Sequence, residues 1–182
     1  MFKVGFAYDS HKFSLDRKLI IGGVVIPSKK GLMGHSDADV LTHALMDALL
    51  GALAEGDIGK HFPDDDPQYK DISSLKLLRT VVERVESSDY IINNCDLTLV
   101  AEKPKISPYS DQIIKSLSRE MNIQKNKINL KATTNEKMGF IGRGEGIAAY
   151  AVVSIIEKEI FRFFQRFAKE GSRHDVSKRY ND

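Results

Sequence analysis

Several features that this 182-residue chain lacks narrow what it can be. It has a single cysteine, Cys95, which excludes an internal disulfide, and its place in an alternating segment favours a buried thiol over a nucleophile or a metal ligand. No apolar run reaches the roughly 20 residues that cross a bilayer, and the N-terminus enters a strand without a signal-peptide pattern. We therefore expect a soluble, cytoplasmic protein with no membrane partner.

A strong net charge is also lacking. The net charge is +2, and residues 162–182 carry six Lys/Arg against three Asp/Glu, so the rest of the chain is close to neutral. A nucleic-acid-binding protein ordinarily has a basic face interleaved with aromatic residues, and nothing before Phe161 has that pattern. We therefore expect no nucleic-acid partner. With 42% hydrophobic residues, the chain is long enough for one domain with a hydrophobic core.

What the chain does have is a short segment, residues 35–43, with two of its five histidines and two carboxylates. Apolar residues recur at helical spacing from 39 to 54, which predicts a helix with one buried face. Ser36 or Asp37 can accept hydrogen bonds from the first free N–H groups of that helix. The histidine and carboxylate side chains therefore lie at the start of a helix that packs on the rest of the protein.

The N-terminal segment alternates in the period of a strand, so Asp9 and His11 point to one face of it. Gly5 lies on the same face, where its small size lets a helix or a ligand approach. We hypothesise that Asp9, His11 and His43 converge on one metal ion, because two imidazoles and a carboxylate are a common ligand set for catalytic zinc with an open fourth position.

A structural interpretation of the same residues is equally open on spacing alone. Asp9 and His11 could simply end a strand. His43 could be a helix histidine that is hydrogen-bonded to Asp39 or Asp47, since residues four apart lie on one side of a helix.

The remaining pattern predicts an α+β fold. Strands are expected near residues 2–11, 90–102, 127–134 and 147–157, and helices near 38–54, 74–86 and 109–121. A small edge hairpin is expected at 19–27, a turn at 29–31 and an acidic loop at 57–67. These elements form a mixed four-stranded sheet with helices on one face. The other face carries Val100 and further apolar residues, so we expect it to pack against copies of itself.

Six short motifs follow one another in order along the chain. They are Asp9-Ser10-His11; His35-Ser36-Asp37-Ala38-Asp39 with His43; Gly56-Asp57-Ile58-Gly59; Phe62-Pro63-Asp64-Asp65-Asp66-Pro67; Ala132-Thr133-Thr134-Asn135-Glu136-Lys137; and Gly139-Phe140-Ile141-Gly142-Arg143-Gly144-Glu145-Gly146. Together they resemble the 2-C-methyl-D-erythritol 2,4-cyclodiphosphate synthase family of the non-mevalonate isoprenoid pathway. The resemblance implies a synthase domain at residues 1–158 and a C-terminal extension at 159–182, first helical and then disordered.

The resemblance implies a phosphorus–oxygen lyase. In the family's reaction the 2-phosphate of 4-diphosphocytidyl-2-C-methyl-D-erythritol 2-phosphate attacks the β-phosphate, which forms the cyclodiphosphate and releases CMP without water. The resemblance also implies that Asp9, His11 and His43 hold zinc or another divalent transition metal. Glu136 matches the ligand of a second ion, Mg²⁺ or Mn²⁺, which one carboxylate holds with help from substrate phosphates.

The same resemblance assigns His35 and Thr134 to transition-state stabilisation, although a helix-start histidine and a strand-end hydroxyl are their ordinary interpretations. Contacts to the erythritol and phosphate groups are implied for Asp9, His11, His35, Ser36, Asp57, Ile58, Gly59, Phe62, Pro63, Asp64, Asp65 and Asp66. Contacts to the cytidine and phosphate groups are implied for Ala101, Glu102, Lys103, Pro104, Lys105, Ile106, Ser107, Thr133, Thr134, Asn135, Glu136, Phe140 and Arg143.

Family members are homotrimers with active sites between subunits, and this agrees with the uncovered sheet face. Phe140 and Arg143 match positions that line the trimer axis, where the resemblance implies an isoprenoid diphosphate partner. From sequence alone, Phe140 would be a core residue and Arg143 a surface cation.

Two other functions use the same residues. A zinc-dependent phosphohydrolase would activate a water molecule with the same ligand set and would consume simple phosphate esters. A sensor would bind CDP-like or isoprenoid diphosphate ligands without turnover, and its metal would be structural.

Overall fold

The computed structural model describes residues 1–171, and within them the chain forms a five-stranded mixed sheet and a separate hairpin. The sheet order is β4-β1-β7-β5-β6, in which β5 and β6 are parallel and the other pairs are antiparallel. The strands are β1 (Phe2–Ser14), β2 (Leu19–Ile21), β3 (Val24–Ile26), β4 (Gly31–Leu32), β5 (Tyr90–Val100), β6 (Ile128–Thr133) and β7 (Gly146–Glu157).

In the part of the chain that the structure describes, six helices pack around this sheet. They are α1 (Val40–Leu53), α2 (Ile58–His61), α3 (Ser74–Ser87), α4 (Ser110–Met121), α5 (Gly139–Gly142) and α6 (Lys158–Gly171), with 3₁₀ turns at Pro67–Tyr69, Ser107–Tyr109 and Lys125–Lys127. Helix α1 packs on β1 and β7, α3 on β5, and α4 on β6. Within residues 1–171, no helix has both the length and the hydropathy of a membrane span.

The two faces of the sheet differ in exposure, as the alternation of the strands predicts. Cys95, Leu97 and Leu99 of β5 point toward the helices and are fully buried. Burial raises the pKa of the Cys95 thiol to about 12, so the interpretation of this residue as a core thiol is confirmed. On the opposite face, Phe6 and Tyr150 are exposed at 65% and 39%. The larger helices α1, α3 and α4 therefore lie on one face, as predicted, whereas the short helix α5 packs on the opposite face, where its Ile141 contacts Val100 and Ala148.

Gly5 permits a very close contact between β1 and α1. A Cβ atom added at Gly5 would lie 1.8 Å from the backbone oxygen of Ala48 and 2.8 Å from the backbone nitrogen of Ala52. The strand and the helix could not pack at this distance with any side chain between them. The predicted close approach is confirmed, and it sets the position of α1 relative to Asp9 and His11 on the same strand.

The predicted number of strands is wrong. The sheet has five strands because Gly31, predicted as the end of a turn, and Leu32 pair with Ser14 and Phe13 of a longer β1. The hairpin predicted at 19–27 is present as β2 and β3, but it forms its own two-stranded sheet against α1 and α4. It does not join the edge of the main sheet.

Three further predictions need correction. Helix α1 is capped by Asp39, whose carboxylate accepts from the Thr42 backbone N–H at 3.1 Å, and not by Ser36 or Asp37. The acidic segment 57–67 is not wholly a loop, since it contains α2 and the start of a 3₁₀ turn. Val100 is buried by Ile141 and Ala148, so the uncovered apolar surface belongs to β1 and β7.

Helix α6 continues directly from β7. Phe161 of this helix packs under the Lys127 ammonium, 5.4 Å from the ring centre, whereas Phe163 and Phe164 are exposed at 62% and 56%. The predicted disorder in the last part of the C-terminal extension lies outside the residues that the structure describes.

Candidate metal centre

The side chains of Asp9, His11 and His43 converge at one point between β1 and α1. Asp9 Oδ2 lies 3.0 Å from His11 Nε2 and 3.3 Å from His43 Nδ1, and the two nitrogens are 3.1 Å apart. Within residues 1–171, these three form the group of His, Cys, Asp and Glu side chains whose ligand atoms lie close enough together to hold a metal ion. The residues predicted from the sequence as a metal centre are therefore brought together.

The hydrogen bond on the far side of the His11 ring fixes which of its nitrogens faces this point. His11 Nδ1 lies 2.6 Å from the backbone oxygen of Met33, which can only accept. In the neutral ring Nδ1 therefore carries the proton, and the lone pair of His11 Nε2 faces Asp9 and His43. A lone pair directed at a carboxylate oxygen needs a cation between them.

The donor set fits a divalent metal ion. Asp9 Oδ2 is buried and has no hydrogen-bond partner among the described residues, which is unfavourable for a charged oxygen. Two atoms that each lie 2.0–2.1 Å from a tetrahedral zinc ion are about 3.3 Å apart, close to the separations of 3.0–3.3 Å among the three donors. One cation would satisfy all three donors together.

The electrostatics of the cluster favour an ionised carboxylate. Burial alone would raise the pKa of Asp9, but the His11 and His43 rings beside its carboxylate outweigh burial and lower its pKa below the usual range. Burial alone would lower the pKa of His11, but pairing with Asp9 outweighs it and raises that pKa. Asp9 is therefore in the state that binds a cation.

The structural interpretation of His43 is wrong, because neither carboxylate proposed as its partner bonds to it. Asp39 accepts from the backbone N–H of Gly22 at 2.9 Å and thereby ties the β2–β3 hairpin to α1. Asp47 accepts from the backbone N–H of Ile58 at 2.7 Å and holds the start of α2. Burial raises the pKa of both carboxyl groups.

A cavity of about 220 Å³ opens beside the cluster. His35 lines it, and His35 Nε2 donates to the backbone oxygen of Asp66 at 3.2 Å, which links the ring to the acidic loop. The other predicted residues that line this cavity are Asp9, His11, Ser36, His43, Ile58, Gly59, Phe62 and Asp64. Of the remaining predicted erythritol contacts, Asp57 caps α2, while Pro63 and Asp65 are exposed.

The predicted cytidine residues gather elsewhere. A cavity of about 270 Å³ is lined by Ala101, Glu102, Pro104, Lys105, Ile106, Ser107, Thr133 and Thr134. A wider cavity of about 840 Å³ adds Lys103 and Arg143, with Lys29, Lys30 and Lys137, which were not predicted. Glu102 Oε1 accepts from the backbone N–H groups of Asn135 and Lys137, each at 3.0 Å, and so holds the turn after β6.

The two predicted sets do not meet within one chain. Strands β1 and β6 run parallel but are separated by β7 and β5. His11 and Thr133 lie near the same ends of these strands, and three strand spacings put them about 14 Å apart. The predicted catalytic residues His35 and Thr134 therefore line different cavities. Glu136 accepts from the Thr134 hydroxyl at 2.8 Å and lies outside the Asp9 cluster.

Two supporting residues were not predicted. The Arg17 guanidinium donates to the backbone oxygens of Gly34 and Ser36 and to Asp71 at 3.3 Å, so it holds the loop that precedes α1. Ser74 Oγ lies 2.9 Å from His43 Nε2. Neither residue carries a periodic signal, because Arg17 stands in a polar segment between strands and a serine at the start of α3 has the pattern of an ordinary cap.

Sequence comparison connects this geometry to a known group of proteins. Residues 2–156 match the model of the YgbB family. The chain is 56% identical over 153 residues to the 2-C-methyl-D-erythritol 2,4-cyclodiphosphate synthase of Lachnospira eligens, covering 84% of each protein. It is 54% identical over 153 residues to the synthase of the same name from Desulforamulus reducens, covering 84% of this chain and 98% of that protein.

Solved structures have the same fold. The bifunctional IspDF from Campylobacter jejuni superposes with a TM-score of 0.83 at 36% identity, covering 87% of this chain and 44% of that one. The CDP complex of IspF from Plasmodium falciparum superposes with a TM-score of 0.76 at 36% identity, covering 86% and 97% of the two chains. The match of residues 2–156 and the relatives above half identity establish that the chain belongs to the YgbB family.

Proposed function

We propose that this protein converts 4-diphosphocytidyl-2-C-methyl-D-erythritol 2-phosphate into 2-C-methyl-D-erythritol 2,4-cyclodiphosphate and CMP, a step of isoprenoid precursor synthesis. The observation that carries the proposal is the convergence of Asp9, His11 and His43 beside a cavity, in a chain whose relatives are synthases of that name. In the reaction, an oxygen of the 2-phosphate bonds to the β-phosphorus while the bond from that phosphorus to CMP breaks. The reaction consumes no water, and its class is that of a phosphorus–oxygen lyase.

Asp9, His11 and His43 would hold zinc or another divalent transition metal, as their donor atoms and separations suit. Such an ion supplies Lewis-acid polarisation of a phosphate oxygen when it is bound. The chain contributes the rigid placement of the three donors. Met33 orients the His11 ring, and the close contact of β1 with α1 brings His43 to the strand.

The residues around the first cavity bind the erythritol and phosphate end of the substrate. His35 is positioned by the Asp66 carbonyl and stabilises charge on the reacting phosphates, while Ser36, the start of α2 and the acidic loop line the sugar. Phosphoryl transfer depends mainly on alignment and charge stabilisation, which this arrangement provides.

The residues at the ends of β5 and β6 bind the cytidine end. Backbone groups of residues 101–107 and Thr133 suit the edge of a pyrimidine, and the CDP in the Plasmodium falciparum structure supports a cytidine nucleotide as ligand. Thr134 stabilises the transition state. Glu136 would hold Mg²⁺ or Mn²⁺ with the help of substrate phosphates, and Lys105 adds positive charge near the diphosphate.

A homotrimer completes the site in this proposal. A single chain keeps the two cavities apart, and its open sheet face exposes apolar side chains such as Phe6 and Val152. Packing of three chains through these faces places the cytidine residues of one copy beside the metal centre of the next. Phe140 and Arg143 lie toward the axis, where an isoprenoid diphosphate can bind. Residues 1–158 form the catalytic domain, and we assign no role to 159–182.

Product analysis tests the proposal and separates the alternatives. The protein is incubated with the cytidine substrate, Mg²⁺ and ¹⁸O-labelled water, and CMP and the cyclodiphosphate are measured by mass spectrometry. We expect both products in equal amounts without ¹⁸O, and we expect His43→Ala to abolish them. A linear, ¹⁸O-labelled product would indicate a phosphohydrolase. Tight binding of CDP without any product would indicate a sensor.

A further inference from the structure

A chain of buried hydrogen bonds leads away from the metal centre on the far side of His43. His43 Nε2 lies 2.9 Å from Ser74 Oγ and 3.0 Å from Ser36 Oγ. The Ser74 hydroxyl donates to Asp37 Oδ1, and the Ser74 backbone N–H donates to Asp37 Oδ2 at 3.0 Å. Ser74 is completely buried and His43 is 7% exposed, so water does not compete for these bonds.

The direction of every proton in this chain follows from the carboxylate at its end. A carboxylate only accepts hydrogen bonds, so the single hydroxyl proton of Ser74 points to Asp37. Ser74 Oγ can then offer only a lone pair to His43, and Nε2 of that ring must carry a proton. His43 Nδ1 is left unprotonated, and this is the atom that faces Asp9 and His11.

Ser36 alone could not impose this direction. Its hydroxyl oxygen accepts weakly from the Ala38 backbone N–H at 3.3 Å and lies 3.4 Å from Ser74 Oγ, so it has no charged acceptor for its proton. A hydroxyl without such an acceptor can donate to His43 Nε2 or accept from it. Ser74 differs from Ser36 because its hydroxyl proton is donated to the Asp37 carboxylate.

We propose that Asp37 and Ser74 are positioning residues that lock His43 in the Nε2–H tautomer, so that its Nδ1 lone pair is available to a divalent cation. Without the lock, His43 could place a proton on Nδ1 and donate it to the buried Asp9 Oδ2, which has no other partner among the described residues. That hydrogen bond would occupy two of the three metal donors. By holding the proton of His43 on Nε2, Asp37 and Ser74 therefore prevent a hydrogen bond between His43 and Asp9 that would compete with metal binding.

This inference rests on the proposed metal centre, and zinc affinity tests both separately. The zinc dissociation constant is measured by competition with a chromophoric chelator for the full chain and three variants. We expect Ser74→Ala and Asp37→Asn each to weaken zinc binding about 10–100-fold, the usual effect of losing a group that orients a metal ligand. Ser73→Ala is the matched control, since Ser73 precedes α3 without a side-chain cap bond, and its affinity should equal that of the wild type.

Asp37→Asn is informative because it keeps the size of the side chain and replaces one hydrogen-bond acceptor with a donor. The Ser74 backbone N–H at 3.0 Å keeps the amide oxygen on its side, so the amide NH₂ takes the place of Oδ1 and donates to Ser74 Oγ. The hydroxyl proton of Ser74 is then free to point at His43 Nε2. This favours the Nδ1–H tautomer, in which the metal ligand is blocked.

Nitrogen-15 NMR of the histidine rings supplies a readout in the wild type itself, which does not depend on how well a variant folds. In the zinc-free wild type at pH 8.5, we expect His43 to be the Nε2–H tautomer, and in Asp37→Asn we expect a shift toward Nδ1–H. An Nδ1–H tautomer in the wild type, or unchanged zinc affinity in both Ser74→Ala and Asp37→Asn, would overturn the inference and leave the metal centre standing. A wild type that binds no zinc would overturn the metal centre and the lock together.

Discussion

Replacing Gly5 by alanine tests the contact that brings the metal ligands of the strand and the helix together. The new Cβ would lie 1.8 Å from the Ala48 backbone oxygen, whereas Cβ atoms do not approach other atoms within 3.0 Å. Helix α1 must therefore move away from β1 by at least about 1.2 Å, the difference between these distances. His43 lies on the displaced helix and Asp9 on the strand, so the separation of the metal ligands changes as well.

The expected loss of stability is large because the obstacle is backbone. Overfilling a core usually costs about 1–3 kcal/mol when neighbouring side chains can adjust, and here a buried helix must shift as a whole. We expect Gly5→Ala to lower the free energy of unfolding by about 3 kcal/mol or more. We also expect its zinc affinity to fall. Urea titrations followed by circular dichroism measure the first effect, at one protein concentration because assembly contributes to stability.

Gly51→Ala is the matched control. Gly51 lies on the exposed side of the same helix, and a Cβ atom there would meet nothing within 4 Å. Alanine is the better helix former, so this variant should be more stable by up to about 1 kcal/mol. The reasoning would be refuted by a Gly5→Ala variant with the urea midpoint of the wild type, measured beside a Gly51→Ala variant that behaves as expected.

Four further predictions concern the metal, two polar residues and the cysteine. Removing bound metal with a chelator should lower the melting temperature and added zinc should restore it, because a ligand at 100 times its Kd stabilises the fold by about 2.7 kcal/mol; an unchanged melting curve would argue against binding to the folded state. Glu136→Gln should reduce turnover and leave the zinc content intact, since the amide lacks the charge that holds Mg²⁺; equal loss of both would place Glu136 with the zinc ligands instead. Arg17→Met should lower the free energy of unfolding by about 1–3 kcal/mol, because the Gly34 and Ser36 carbonyls lose a charged donor; a urea midpoint equal to the wild type would contradict this. Between pH 7 and 9, Cys95 should stay unreactive toward a disulfide reagent in the native protein, where its pKa is about 12, and should become more reactive with pH only in the urea-unfolded chain, whose thiol pKa is about 8.5; fast native labelling at pH 9 would contradict the buried position.

The metal centre was predictable because it depends on local periodicity. Alternation along β1 places Asp9 and His11 on one face, and the apolar spacing of α1 places His43 on a helix that must pack on something. Spacing alone left open whether that packing joins the two elements. The small Gly5 indicated that a helix can pack closely on β1. The family resemblance then indicated that His43 of the helix joins Asp9 and His11 of the strand.

Other features depend on contacts between distant residues and leave no periodic pattern. Strand β4 is two residues long and exists only because β1 extends to meet it. Asp39 was placed beside His43 by helical spacing, but it bonds to Gly22 of the hairpin, since tertiary neighbours decide which partner a polar side chain finds. Arg17 and Ser74 act on the site through backbone carbonyls and a ring nitrogen, and their positions in the chain resemble those of ordinary loop and cap residues.

Zinc binding by single-histidine variants tests the central claim most directly. The wild type, His43→Ala and His61→Ala are dialysed to equilibrium against micromolar zinc, and the metal content is measured by mass spectrometry. His61 lies on α2 outside the cluster and bonds to the Glu55 backbone oxygen, so its variant controls for the loss of an imidazole. We expect one equivalent of zinc per chain in the wild type and in His61→Ala, and almost none in His43→Ala. Full zinc content in His43→Ala, or none in the wild type, would contradict a metal centre formed by Asp9, His11 and His43.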